Sequence, residues 1–226
     1  MRIGVFVYAR SDSRRLPGKL LKEFTDTNLL GHVLRRAMNV NATDWLVLTS
    51  DRPVDNEIGL QASRMGFDVC RGSASNLVSR TLEGLRVCPV EYFVRVNADS
   101  PWFDATLVNA AIGELSGPMT SNLVTRRFPY GVSVEIVESA FYGRTASVSR
   151  ERELEHVTQH IYRTGKAGEL RSLIQDRDDS HLRLTVDTQD DYQNMKIFFS
   201  SPAVDSQTSY WNFLNLSEPN LSYEAR

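Results

Sequence analysis

Ile3-Gly4-Val5-Phe6-Val7, followed by Ala9-Arg10-Ser11-Asp12-Ser13-Arg14-Arg15-Leu16-Pro17-Gly18-Lys19, is the stretch on which the fold turns. A short unbroken apolar run that ends in a turn reads as a buried strand of an α/β sheet. The loop that leaves it gathers backbone N–H groups, hydroxyls and cations just outside the strand end, where open α/β sheets bind their ligands. Arg10 and Arg15 offer planar forks that match phosphate oxygens, and Lys19 offers a mobile point charge. Pro17-Gly18 sets a turn that aims Lys19 back toward the strand. An ordinary solvated loop would not need that turn, so Ala9, Arg10, Ser13, Gly18 and Lys19 read as a phosphate-handling loop. Neither G-x-x-x-x-G-K-[ST] nor G-x-G-x-x-G is present, which removes the two common nucleotide fingerprints.

Outward from this loop, strand and helix patterns alternate. Helical periodicity over Leu29 to Met38 is followed by a β run over Trp45 to Thr49, a helix after Pro53 over Val54 to Met65, and a strand over Phe67 to Cys70. A helix over Leu77 to Leu85, a strand over Tyr92 to Val96 and a helix over Ala105 to Leu115 complete the series. This order predicts a Rossmann-like α/β fold, its mostly parallel sheet flanked by helices with right-handed crossovers.

After Gly117-Pro118 the rhythm changes. Ser121 to Tyr130 is turn-rich, Val132 to Val137 alternates like an exposed strand, and Arg150 to Thr164 reads as one long amphipathic helix striped by Leu154, Val157 and Ile161. Leu182 to Val186 reads as a strand and Asp190 to Phe199 as a closing helix. The tail carries Tyr210, Trp211, Phe213 and Leu214, an aromatic cluster expected to dock. The chain is expected to be one domain over 1–226, with a nucleotide half over 1–118, a small acceptor and dimerisation lobe over 119–180, and a closing segment over 181–226.

Composition narrows the function. A chain of 226 residues with 41% hydrophobic and 24% charged residues and a net charge of -2 is an ordinary globular protein without a basic field for polyanions, so nucleic acid is not the expected partner. No apolar window is long enough to span a bilayer, and Met1-Arg2 opens no signal peptide, so a cytoplasmic protein is expected. Cys70 and Cys88 form no C-x-x-C, which argues against a disulfide framework or a cysteine zinc site.

Two carboxylates stand straight after apolar runs. Asp99 lies in Arg95-Val96-Asn97-Ala98-Asp99-Ser100-Pro101, and Asp187 in Thr185-Val186-Asp187-Thr188-Gln189-Asp190-Asp191. Two such groups at one sheet edge can share a Mg²⁺ whose remaining positions go to phosphate oxygens and water. The competing reading is helix capping. For Asp99 it is weakened by Asp104, a better cap just before Ala105; for Asp187 or Thr188 it is strong and partly compatible. His156 and His160 are four apart, but without H-E-x-x-H they read as structural histidines rather than zinc ligands.

The Ala9–Lys19 loop resembles the N-terminal signature of the sugar-acid cytidylyltransferases, the CMP-Kdo and CMP-acylneuraminate synthetases, and most closely their spore-coat polysaccharide relatives. Further blocks follow in the same order: Arg71-Gly72-Ser73, the Asp99 segment, Ser121-Asn122 with Pro129-x-Gly131-x-x-x-Glu135, Glu153-x-Glu155-His156-Val157-Thr158, and Val186-Asp187-Thr188. The resemblance covers roughly Met1 to Phe199. It implies CTP and a sugar acid as substrates, with Mg²⁺ on Asp99 and Asp187. Arg10, Arg15 and Lys19 would neutralise charge developing on pyrophosphate, and Arg71 and Ser73 would face the nucleoside. Asn122, Gly131, Glu135, Glu155 and His156 would face the sugar, and the protein would be a homodimer. Asn76 and Ser133 depart from the family, which commonly has Asp at both places. Another sugar nucleotidyltransferase, and a non-catalytic nucleotide- or sugar-binding relative, are the alternatives.

Overall fold

Strand β1 (Ile3–Tyr8) is buried at every position. In the structure, a computed structural model that describes residues 1–214, 216 and 218–225, Ile3, Val5 and Val7 join the core on one sheet face while Phe6 and Tyr8 join the core on the other. A strand with no solvent face needs helices on both sides, and the next elements supply them. These are α1 (Leu29–Ala37), β2 (Asp44–Ser50), α2 (Asn56–Arg64), β3 (Asp68–Gly72), α3 (Leu77–Val87), β4 (Tyr92–Asn97) and α4 (Ala105–Gly113). Caps define several starts: Asn28 accepts the Gly31 N–H at 2.8 Å, and Asp104 accepts the Thr106 and Leu107 N–H groups at 2.9 and 3.2 Å. Strands β3, β2, β1 and β4 run parallel in that order, as expected.

The second half continues the same sheet. Elements β5 (Met119–Ser121), β6 (Glu135–Glu138), α5 (Ser139–Ala146), α6 (Gln159–Thr164), β7 (Leu170–Gln175), α7 (Gln189–Phe199), α8 (Tyr210–Phe213) and β8 (Leu221–Ala225) follow. Among the described residues, eight strands form one sheet in the order β3-β2-β1-β4-β6-β5-β7-β8, with β6 antiparallel to both of its neighbours. The segment over 119–180 contributes β5, β6 and β7 to that sheet. Phe141, Tyr142, Val157 and Ile161 share one core with Phe6, Tyr8 and Phe93.

Three expectations need correction. The exposed strand over 132–137 is instead β6, buried over Glu135 to Val137 because β4 and β5 cover both of its edges and the two cores cover its faces. The long helix over 150–164 is broken into a single turn at Glu151–Glu153 and the short α6. Its carbonyls are diverted: Leu154 O accepts from the Leu77 N–H at 2.6 Å and Val157 O from the Tyr142 hydroxyl at 2.9 Å. The strand over 182–186 is only a bridge of Arg183 to Tyr130, since Val186 N–H turns away to Asp99 O at 2.9 Å. The aromatic tail docks as expected. Tyr210 and Trp211 are buried, and the Arg36 guanidinium donates to Asp205 O at 3.0 Å and Thr208 O at 2.8 Å.

Two histidines are buried. Burial, with Arg36 nearby, lowers His32 to about 4, and burial lowers His160 to about 4. Neither nitrogen of His160 has a hydrogen-bond partner among the described residues. Both rings are thus neutral in the folded chain, while the unfolded chain protonates them at about 6.5. The unfolded state binds more protons below that pH, so stability is full above about 6.5, falls as pH falls toward about 4, and levels off beneath it. Urea unfolding should lose about 2 kcal/mol per histidine between pH 7 and pH 5, and His160→Phe should remove one share. An unchanged midpoint across that range would refute this account.

Candidate active site

Strand order places a crevice where the connections diverge. From β1 the chain passes to β2 on one side, while β4 lies on the other, which makes the carboxyl ends of β1 and β4 the switch point of the sheet. Backbone bonds hold both exits together: Ala9 N–H donates to Leu48 O and Ala98 N–H to Tyr8 O, each at 3.1 Å. A cleft of about 900 Å³ opens there.

The 9–19 loop forms one wall. Asp55, fully buried, accepts the Ser11 N–H at 2.7 Å and the Ser50 hydroxyl, which anchors the loop to the end of β2. Ser13 Oγ accepts the Leu16 N–H at 3.3 Å. Gly18 has φ 66, and a Cβ there would meet nothing within 4 Å, so glycine serves the left-handed backbone rather than a close approach. The turn sends Lys19 inward. Ala9, Arg10, Ser13, Arg15 and Lys19 line the cleft, while Gly18 shapes the wall without lining it.

Lys19 is only 6% exposed, and it joins the two carboxylates singled out from sequence. Its Nζ donates to Asp99 at 2.8 Å, to Asp187 at 3.3 Å and to Val186 O at 2.6 Å. The strand ends are also tied directly, because Asp99 O accepts the Val186 N–H at 2.9 Å and the Thr185 hydroxyl at 3.0 Å. Asp187 further meets Arg15 at 3.1 Å and Arg183 at 2.5 Å. Helix capping falls to its neighbours: Thr188 caps α7 and Asp191 accepts the Asp187 and Thr188 N–H groups at 3.0 and 2.9 Å. That frees the Asp187 carboxylate for the cleft. Two oxygen donors that converge on one ammonium suit a hard divalent cation, whose other ligands would come from phosphate and water.

The far wall comes from the second half of the chain. Asn122, Gly131, Glu155 and His156 line it, together with Tyr130 and Ser133. Asn122 is a brace: its amide donates to Val132 O at 2.8 Å and its carbonyl accepts the Val134 N–H at 2.9 Å. Gly131, with φ 107, would place a Cβ 2.6 Å from Leu184 O, so any side chain would break the contact between this wall and the Asp187 segment. His156 precedes α6 and does not share a helix face with buried His160.

Three residues expected in the site lie elsewhere. Arg71 donates to Ser50 O at 3.1 Å and Arg52 O at 2.9 Å, bracing β3 outside the cleft. Ser73 accepts the Asn76 N–H at 3.0 Å, and Asn76 caps α3 through the Ser79 N–H at 2.8 Å. Ala74 and Ser75 line the cleft instead. Glu135 is fully buried and turned inward to Arg95, Thr158 and Tyr162. Burial favours neutral Arg95, but the Glu135 charge outweighs it and raises the guanidinium pKa; burial and Glu135 raise the Tyr162 phenol well above its ordinary value, which keeps it a donor.

Sequence reading missed Arg14, Arg52, Arg95 and Arg126 in the lining, which Arg80 joins, and Arg183 on Asp187. With Arg10, Arg15 and Lys19, the lining cations outnumber Asp12, Asp99, Glu155 and Asp187, which makes this cleft electropositive in a chain of net charge -2. Arg183 could have been found from its spacing four residues before Asp187. Arg14 lies within the loop itself, between Ser13 and Arg15, and the others arrive from separate elements with no common pattern.

Comparison with known proteins agrees with this geometry. The chain is 27% identical over 205 residues to the spore coat polysaccharide biosynthesis protein SpsF of Bacillus subtilis, covering 85% of this chain and 84% of that one. It is 26% identical over 196 residues to the 3-deoxy-manno-octulosonate cytidylyltransferase of Aeromonas hydrophila, with 73% and 77% covered. A solved cytidylyltransferase from Leptospira borgpetersenii superposes with a TM-score of 0.89 at 28% identity, covering 95% of this chain and 93% of that one. The family profile described as Cytidylyltransferase matches residues 5–204, and the chain belongs to that family.

Proposed function

We propose that the chain transfers the cytidylyl group of CTP to the anomeric hydroxyl of a sugar acid, yielding a CMP-sugar and pyrophosphate for cell-surface polysaccharide synthesis. The observation that carries this reading is the cleft at the β1/β4 switch point, where a cation-rich loop faces a converging pair of carboxylates. The sugar-acid cytidylyltransferase among its relatives supplies the acceptor class. In the reaction the sugar oxygen bonds to the α-phosphorus as the bond to the pyrophosphate oxygen breaks, and the hydroxyl proton leaves to solvent or to a carboxylate. Such chemistry needs positioning and charge stabilisation rather than a protein nucleophile. Arg10 and Arg15 on the loop would bind the phosphates, and Lys19 would fix the relative position of Asp99 and Asp187. Those two carboxylates would hold Mg²⁺, which when bound neutralises phosphate oxygens. The half over 1–118 would hold the nucleotide and the segment over 119–180 the acceptor.

Pyrophosphate release across CTP, ATP, GTP and UTP, each with ulosonic acids, nonulosonic acids and sugar 1-phosphates, tests the proposal. Release should require CTP, a sugar acid and a divalent cation, and should stop with excess chelator. Turnover of a sugar 1-phosphate with another nucleotide would replace this reading with a different sugar nucleotidyltransferase.

A further inference from the structure

Arg126 is the residue other than glycine that holds a left-handed backbone among those described, with φ 50. Its neighbours impose that conformation. The Thr125 hydroxyl shares a hydrogen bond of 3.1 Å with Ser172 on β7. The Arg127 guanidinium donates to Asp176 O at 2.7 Å, and Arg127 O accepts the Asp179 N–H at 2.8 Å and the Gln175 amide at 2.9 Å. With both flanks pinned to β7 and the loop beyond it, Arg126 turns the other way, exposed and lining the cleft. Strain of this kind persists where the surroundings over-determine it, and it gathers at ligand clamps.

The other lining cations are mostly committed. Arg15 and Lys19 meet carboxylates, Arg95 meets Glu135, and Arg10 and Arg80 hold the carbonyl of Ala74. No ion pair or side-chain hydrogen bond engages Arg126 among the described residues, and it enters the cleft from the segment between β5 and β6 rather than from the phosphate loop. We infer that Arg126 receives the carboxylate of the acceptor, an assignment that rests on the sugar-acid reading above. A guanidinium fork matches a carboxylate in a bidentate manner, whereas the neutral hydroxyls of a sugar do not require one. Arg126 is in this view what separates an acidic acceptor from a neutral one.

The test compares ulosonic and nonulosonic acids with their C1 carboxamides, in CTP-dependent pyrophosphate release by the wild-type chain, Arg126→Gln and Arg126→Gly. Loss of the charge-assisted pair should raise the KM for the acid about 10- to 100-fold. KM for CTP should stay within about twofold, and KM for the carboxamide should rise far less than that for the acid. Arg126→Gly relaxes the left-handed backbone, so it should unfold no more readily than wild type while showing the same loss. An unchanged acid KM in an active protein, or an equal decline for acid and carboxamide, overturns the assignment of Arg126 alone. Failure of the wild-type chain to turn over any sugar acid overturns the functional reading and this assignment with it.

Discussion

Asp99→Asn should lower turnover by about 10²-fold or more while leaving the unfolding midpoint nearly unchanged. Asp99 stands just past β4, a third exposed at its side chain, and its one ion pair among the described residues is to Lys19. Asparagine keeps the shape, and the backbone carbonyl that accepts from Val186 and Thr185 is untouched. What disappears is one of two negative charges converging at the floor of the cleft. A group that stabilises charge only as the α-phosphate transfers affects kcat more than nucleotide affinity, so CTP binding should weaken less than turnover. Titration of Mn²⁺ in the presence of CTP gives a second readout, and its affinity should fall with the rate. Near-normal turnover at saturating divalent cation would remove Asp99 from the machinery. Asp187→Asn is less clean, because it also releases Arg15 and Arg183.

The fold was most legible where one periodicity ruled. Strand β1, the alternation up to α4 and the cap at Asp104 follow from apolar runs and punctuation that local sequence carries in full. The approach of Asp99 and Asp187 was legible in part: Asp99 follows β4, and Asp187 follows an apolar run whose Val186 N–H bonds to Asp99 O. Legibility fails where partners are distant. Nothing local to 150–164 announces that Leu77 and Tyr142 take the carbonyls a continuous helix would need. Strand β6 looks half-polar in sequence, yet its Glu135 is buried because Arg95, two strand positions from the end of β4, is its partner. Arg71 stays outside the cleft lining for a related reason: side chains alternate along β3, and its guanidinium donates to backbone carbonyls of the neighbouring segment.

Glu135 is the residue whose reading changes most, and its substitution should have the largest effect on stability. One carboxylate oxygen meets the Arg95 guanidinium, and the other accepts the Thr158 hydroxyl at 2.6 Å and the Tyr162 hydroxyl at 2.8 Å. Tyr162 in turn shares a 2.6 Å hydrogen bond with Ser121. A single acidic side chain thereby joins β4, β5, β6 and α6 beneath the cleft. Truncating it strands a mostly buried guanidinium, and breaking such a pair costs about 3–5 kcal/mol. Glu135→Ala should lose that much in urea unfolding at pH 7. Replacing both members with apolar groups removes the orphaned charge, so Glu135→Leu combined with Arg95→Met should recover a large part of the loss. Because Arg95 also lines the cleft and holds Asn97 at 2.9 Å, the double variant should remain impaired in turnover even as it regains stability. A sugar contact predicts the opposite pattern: Glu135→Ala would then be nearly neutral for folding and would raise the acceptor KM alone. Full burial of the carboxylate, with hydrogen-bond partners on both oxygens, is why the structural outcome is expected.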